Sequence, residues 1–191
     1  NAVTSIDLRS RNAADTANAA GQIDYRDVNG FDVVRVATTA DATLNAGDAI
    51  TESGSIQADL LTVVTNKDSG AAITLANSAN AVNSVFLQSL NTAGDAFAAG
   101  AISYRDADGF DVVRISSTTN ATLQSGGTVT QTFGIETAGL ELLGSGPYVL
   151  TNFENTATTL AGNVTGSVQY NTQFGVSIGT VNTVGLSASS V

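Results

Sequence analysis

The chain contains a long internal repeat. The segment from Ile23 to Val36, IDYRDVNGFDVVRV, returns from Ile102 to Ile115 as ISYRDADGFDVVRI, and ten of the fourteen positions are identical. Self-similarity at a fixed period is typical of proteins built as arrays of similar supersecondary units. The repeat therefore limits the chain to folds in which one unit can be added to the next.

Alignment at this period divides the chain into three parts of one continuous domain, 1–191. The first copy spans residues 1–79, and the second spans 80–154 because it lacks four residues that the first carries near Thr65. A partial third copy covers 155–191, where GSVQY repeats the GAISY of the second copy. A single array is favoured over separate globules, since neighbouring units of a repeat protein bury each other's surfaces.

Short runs of alternating apolar and polar residues indicate β-strands. Leu61-Thr62-Val63 and Leu140-Glu141-Leu142 are two such runs, and Gly, Asn, Asp and Ser separate them. The Ala-rich segment 12–20 has helical composition, but its counterpart at 91–99 contains a glycine in mid-run, which argues against a helix there. The sequence therefore predicts an all-β protein.

The length of the repeat favours a parallel β-helix. A unit of this length divides into about three turns of roughly 25 residues, which predicts a β-solenoid of about seven to eight coils whose narrow interior is filled by small residues. The rival architecture is an array of β-sandwiches of about 80 residues. It fits less well, because half a sandwich cannot close a core whereas a solenoid can end after any coil.

Composition and charge exclude several classes of partner and chemistry. The net charge is -10, which disfavours nucleic acid and anionic membrane surfaces, since both attract clustered Lys and Arg. No apolar stretch is long enough to span a membrane as a helix. His and Cys are absent, so the usual general base near neutral pH and the thiolate nucleophile are missing. We therefore expect the chain not to be an enzyme.

The residue pattern of the repeat resembles that of a known class of secreted proteins. Segments such as GAAITLANSANAVNSVFLQSL at 70–90 and ATLQSGGTVTQTFGIETAGLELLG at 121–144 are similar to the repeat region of filamentous-haemagglutinin-like exoproteins, which are secreted bacterial adhesins. The resemblance covers essentially the whole chain, but it is carried by strand and turn composition and not by a catalytic signature. It implies a right-handed parallel β-helix that serves as an extracellular, cell-surface shaft.

Two acidic turns are the candidate metal sites. Alternating carboxylates beside a glycine resemble calcium-binding loops, in which hard oxygen ligands surround the ion. The same residues equally suit an Asn-Gly or Asp-Gly turn between two strands, with the flanking aspartates capping it. The candidate ligands are Asp27, Asn29 and Asp32 in the first copy and Asp106, Asp108 and Asp111 in the second.

The leading functional hypothesis is a non-catalytic structural or adhesive β-solenoid, either a filament subunit or a shaft segment. Its uncapped end coils predict self-association, because unpaired strand edges recruit other strands. A surface glycan or another cell-surface ligand is the further partner that we expect, and no cofactor is expected apart from calcium at the acidic turns. Two alternatives remain open: a calcium-stabilised surface module, and a β-helix that binds or cleaves polysaccharide.

Overall fold

The computed structural model describes residues 2–191 and contains only strands, turns and loops in that range. The strands of the first copy are β1 (Ser5–Arg9), β2 (Ile23–Asp27), β3 (Phe31–Ala37), β4 (Ala42–Ala46), β5 (Ile50–Glu52), β6 (Ile56–Asn66) and β7 (Ile73–Leu75). Those of the second copy are β8 (Ala81–Leu90), β9 (Ile102–Asp106), β10 (Phe110–Ser116), β11 (Ala121–Ser125), β12 (Val129–Gln131), β13 (Ile135–Glu136), β14 (Gly139–Gly144) and β15 (Tyr148–Leu150). The partial third copy adds β16 (Thr159–Val164), β17 (Val168–Tyr170), β18 (Ser177–Ile178) and β19 (Leu186–Ser187). A search of the described residues for a helix of membrane-spanning length and apolarity finds none.

The strands form a parallel β-solenoid of about eight turns, as the repeat predicts. Every pairing between named strands is parallel, and the pairings follow two ladders. The first ladder runs β1, β3, β5, β7, β9, β11, β14 and β16, and ends on β18 and β19. The second runs β2, β4, β6, β8 and β10, then β12 with β13, β15 and β17. Besides these two ladders, the end of β3 pairs with the start of β6, which pairs in turn with the start of β8, so these segments form a third, shorter run of paired strands.

Each copy makes about three turns, as spacing predicts, but the two copies are rotated relative to each other by part of a turn. Strand β2 belongs to the second ladder, whereas its counterpart β9 belongs to the first. Ile23, Ala42, Leu61 and Val85 lie in register on successive coils, so β2 and β8 are three full turns apart, and β9 follows β8 on the other ladder. Equivalent residues of the two copies therefore lie on different faces of the solenoid.

One long loop in each copy accounts for the uneven turns. Residues 10–21 and 89–100 are each closed by a short antiparallel bridge, and neither forms a helix, which confirms the sequence prediction for the Ala-rich segment. The side-chain oxygen of Asn91 accepts hydrogen bonds from the amides of Gly94 (2.8 Å) and Asp95 (3.1 Å), and Asn12 holds the first loop in the same way.

The interior contains both small and large apolar side chains. Leu44, Val63, Leu87 and Ile115 follow one another through the second ladder and are each fully buried. Tyr104 and Tyr148 are buried as well, so the interior combines the small residues that the sequence predicts with bulky ones that it does not predict. Each turn thus adds bulky apolar area to one continuous core, and burial of such area is the main favourable term in folding.

A C-terminal strap, defined here as residues 179–185, covers the outer face of the solenoid at Glu141. This glutamate points away from the interior on β14, yet it is only 2% exposed. It accepts hydrogen bonds from the Thr183 amide (2.7 Å), the Asn182 amide group (2.8 Å) and the Thr122 hydroxyl (2.9 Å), as well as from the Thr183 hydroxyl. The strap is therefore fastened to two turns of the first ladder through one carboxylate.

We expect Glu141→Gln to loosen this strap and to remove its sensitivity to acid. Burial alone would raise the pKa of Glu141, but the hydrogen bonds from Thr183, Asn182 and Thr122 outweigh it and lower the pKa below the usual value. A lowered pKa means that the carboxylate stabilises the fold above the pKa of the unfolded chain and that this contribution is lost as the pH falls through the folded pKa. Limited proteolysis of the wild type should therefore cut 179–185 faster at pH 3.5 than at pH 6, whereas Glu141→Gln should be cut readily at both.

Candidate functional site

The acidic turn of the second copy is a corner of the solenoid between β9 and β10. Asp106 is 2% exposed and points inward. Its Oδ2 accepts hydrogen bonds from the Tyr104 hydroxyl (2.6 Å) and the Val82 amide (3.0 Å), and its Oδ1 accepts one from the Asp108 amide (3.0 Å). One carboxylate therefore caps its own turn and also accepts hydrogen bonds from a buried tyrosine and from the start of β8.

The first copy repeats this arrangement. Asp27 accepts hydrogen bonds from the Tyr25 hydroxyl (2.8 Å), the Val3 amide (3.1 Å) and the Asn29 amide (3.0 Å). The pKa values of the two carboxyl groups shift in opposite directions. The hydrogen bond from the Asn29 amide lowers the pKa of Asp27, whereas burial in the middle of the solenoid raises the pKa of Asp106 despite its three donors.

Each turn also contains an edge-to-face aromatic pair. The rings of Tyr104 and Phe110 lie 5.0 Å apart at 86°, and those of Tyr25 and Phe31 lie 5.1 Å apart at 87°. Both phenylalanines are buried and Tyr104 is fully buried. These rings stabilise the corner from within, and the buried ring of Tyr104 is not accessible to a ligand.

The glycine of each turn is required by packing. A Cβ atom on Gly109 would lie 2.1 Å from the carbonyl oxygen of Thr128, and one on Gly30 would lie 2.1 Å from that of Ala49. Neither glycine has a positive φ. The sequence thus correctly predicts a turn with a capping aspartate, but the glycine is needed because the next coil passes so close.

The aspartates that follow each glycine point outward and bind the next coil. Asp111 accepts hydrogen bonds from the hydroxyls of Thr130 (2.7 Å) and Thr132 (2.8 Å). Asp32 accepts equivalent bonds from Thr51 and Ser53. Each carboxylate thus links two successive turns on the outer surface.

The six candidate metal ligands do not form one site in the structure. Asp27 and Asp106 point inward, Asn29 and Asp108 lie exposed on the turns, and Asp32 and Asp111 lie on the outer ladders. Within residues 2–191, no group of three or more His, Cys, Asp or Glu side chains is placed to hold a metal ion. The carboxylates that point inward and outward are engaged by protein donors, so the geometry of these turns is that of structural corners.

An open groove of about 280 Å³ lies beside the second turn. Asp108 and Asp59 line it, and Asp59 accepts a hydrogen bond from the side chain of Asn83 at 2.8 Å. Thr38 and Gln57 also line it. Such a surface can exchange hydrogen bonds with a polar molecule, but it does not enclose one.

Sequence reasoning did not find two asparagines, Asn80 and Asn155, which are both fully buried. The Oδ1 of Asn80 accepts a hydrogen bond from the Ile56 amide at 2.8 Å, and that of Asn155 accepts one from the Ile135 amide at 2.8 Å. The available signal was a shared pattern, Leu-x-Asn-x-x-Asn, which occurs at 75–80 and again at 150–155. An asparagine among turn residues does not by itself reveal that it points into the interior.

Comparison of the chain with protein-family models, with curated proteins and with solved structures finds no match in any of the three.

Proposed function

We propose that this chain is a non-catalytic shaft segment or filament subunit of an extracellular surface protein. The proposal is supported by the role of the residues in the duplicated acidic turn. Its tyrosine, aspartates, glycine and phenylalanine all act within the corner or between coils. A motif that is copied together with its scaffold, and whose polar atoms serve that scaffold, is suited to building a rod.

The resemblance to filamentous-haemagglutinin-like exoproteins supports the extracellular part of this proposal. Those proteins carry parallel β-helical shafts, and this chain is a parallel β-solenoid of about eight turns. The acidic surface, with a net charge of -10, suits a solvated rod that avoids anionic surfaces. Adhesion to a glycan or another surface ligand would then be the task of exposed loops or of a neighbouring domain.

End-to-end association is the form of assembly that we propose for this rod. Strands β1 and β2 each have a hydrogen-bonded partner strand on only one side within the described residues. Their counterparts in the second copy, β8 and β9, are covered by β6 and β7. Accordingly Leu8 and Tyr25 are only partly buried, whereas their counterparts Leu87 and Tyr104 are completely buried.

The opposite end is less suited to strand pairing. Strands β17, β18 and β19 are short, and the Val168 amide of β17 already donates to the carbonyl of Ser190. Short edge strands and covering segments are common ways of blocking strand addition. The coil formed by β1 and β2 is therefore the end that we expect to recruit a second solenoid.

Electron microscopy and sedimentation of the untagged protein at micromolar concentration test this assembly. We expect rods that lengthen with concentration and a strand repeat near about 4.8 Å along the axis. Leu8→Glu should weaken association at least about tenfold, because it would bury an unpaired charge at the contact. Val149→Glu, a similar change on the side of the solenoid, should leave association unchanged. A monomer at every concentration, or equal effects of the two variants, would contradict end association.

A further inference from the structure

Strand β5 contains a glutamate at a position where the second copy carries a glutamine. Gln131 on β12 is the counterpart of Glu52 on β5 in the alignment of the two copies. The Nε2 of Gln131 donates a hydrogen bond to the Oδ1 of Asn155 at 2.5 Å. Its Oε1 accepts from the Asn152 amide and from the Nδ2 of Asn155, each at 3.2 Å. Both polar atoms of the glutamine are therefore engaged.

Glu52 occupies the equivalent position in the first copy but makes one hydrogen bond fewer than Gln131. Its Oε2 accepts hydrogen bonds from the Asn77 amide (2.8 Å) and from the Nδ2 of Asn80 (3.1 Å), which match the two bonds to the Oε1 of Gln131. Its Oε1 is buried and has no hydrogen-bond partner in residues 2–191. This oxygen takes the place of the Nε2 of Gln131.

The missing bond has a specific chemical cause. The Oδ1 of Asn80, like that of Asn155, is an acceptor and receives a backbone amide, that of Ile56. A carboxylate oxygen is also only an acceptor, so ionised Glu52 cannot replace the donor that Gln131 supplies. A proton on Oε1 turns the carboxyl group into a donor and makes it equivalent to the amide.

We propose that Glu52 is a proton-binding site, in which the neutral acid donates from Oε1 to the Oδ1 of Asn80 and closes the network that Gln131 closes in the second copy. The binding step is the transfer of one proton from water to the carboxylate. When the proton leaves, Oε1 becomes an unsatisfied, buried acceptor beside the segment 76–80. That segment links β7 to β8, so the connection between the two copies then loses the hydrogen bond between Glu52 and Asn80 Oδ1.

The surroundings of Glu52 favour its protonated form. Burial raises its pKa from the ordinary 4.5 to about 7, the hydrogen bonds from Asn77 and Asn80 oppose this in part, and the charge of Asp32 on β3 adds to it. The hydroxyl of Tyr104 on β9 is the other titratable group in the described range that interacts with Glu52. Among residues 2–191, no lysine or arginine forms an ion pair with Glu52.

The direction of the pH effect follows from the raised pKa. The unfolded chain releases the proton near pH 4.5, whereas the folded chain keeps it to about pH 7. The stabilisation is therefore complete below pH 4.5 and is lost as the pH rises through 7. The connection between the copies should be tighter in mildly acidic surroundings than in alkaline ones, while the Gln131 network should not respond.

Hydrogen exchange resolved to single amides tests the proposal, with rates corrected for the intrinsic effect of pH. Between pH 5 and pH 8.5, opening at the Ile56 and Asn77 amides should increase about tenfold in the wild type. The amides of Ile135 and Asn152, which occupy the same places in the second copy, should not change. Glu52→Gln should abolish the response in the first copy, and Gln131→Glu should create one in the second.

The proposal fails if the Glu52 carboxyl carbon, followed by NMR, titrates near the ordinary pKa of 4.5. It also fails if Glu52→Gln retains the wild-type response at Ile56 and Asn77. Glu52→Gln is expected to fold, because the second copy already has a glutamine, Gln131, at the equivalent position. The outcome does not depend on end-to-end association, since the amides lie inside the solenoid and a monomer gives the same reading.

Discussion

Replacement of Asn155 by alanine is expected to lower the free energy of unfolding by about 4 kcal/mol. The side chain is fully buried, and its Oδ1 accepts hydrogen bonds from Ile135 and Gln131. Its Nδ2 donates to the carbonyls of Leu150 (3.1 Å) and Asn171 (2.9 Å). Alanine leaves these groups without partners in a place that water does not reach, and each unsatisfied buried group costs about 1–3 kcal/mol.

Denaturant unfolding of three variants distinguishes this role from a general effect of removing an asparagine. Asn155→Asp should be nearly as damaging as Asn155→Ala, because a carboxylate cannot donate to the two carbonyls. Asn163→Ala is the matched control, since Asn163 is exposed on the outer face of β16 and should cost less than about 0.5 kcal/mol. Similar losses for Asn155→Ala and Asn163→Ala would show that the buried network contributes little.

The overall architecture could be predicted because it depends on patterns that tolerate local error. Alternation in the run Leu61-Thr62-Val63 places the leucine and valine side chains inside, and the structure buries both completely. The period of the repeat and the incomplete third copy favoured a solenoid over a sandwich, and this was confirmed. Each coil repeats one simple requirement, an apolar face turned inward, so an error in one turn does not change the fold.

The rotation between the two copies could not be predicted in the same way. Counting residues gives the length of a repeat, but the number of turns depends on how many residues leave the ladders in loops. The loops 10–21 and 89–100 each lengthen one turn, whereas two successive short turns connect the equivalent positions Ile23, Ala42 and Leu61. Only the pairing of strands distinguishes a long turn from a pair of short ones.

The acidic turns show the same limit at the level of single side chains. Their composition predicts a turn with capping aspartates, and Asp27 and Asp106 do cap their turns. Their composition also suits a calcium loop, and the sequence could not separate the two because the direction of each carboxylate depends on the neighbouring coils. Glu141 is a further example: it points outward as alternation predicts, yet the strap buries it.

The second large effect is expected at Asp106. Asp106→Ala removes the acceptor for the Tyr104 hydroxyl, the Val82 amide and the Asp108 amide, and should lower the free energy of unfolding by about 3 kcal/mol. Asp27→Ala removes the same three kinds of bond in the terminal coil. Its effect in denaturant unfolding should be clearly smaller, because Tyr25 is partly exposed and water can replace the lost acceptor, whereas Tyr104 is completely buried.

A second substitution identifies the cause of the loss at Asp106. In the double variant Asp106→Ala with Tyr104→Phe, one of the three unsatisfied donors is gone, so about 1 kcal/mol should be recovered relative to Asp106→Ala alone. The corresponding pair in the first copy, Asp27→Ala with Tyr25→Phe, should show little recovery, since water can serve the Tyr25 hydroxyl once the carboxylate is removed. Equal losses for Asp106→Ala and Asp27→Ala would mean that burial between coils does not strengthen this corner. Its stability would then come from the turn itself, whose capping bonds from the Asn29 and Asp108 amides are both 3.0 Å long.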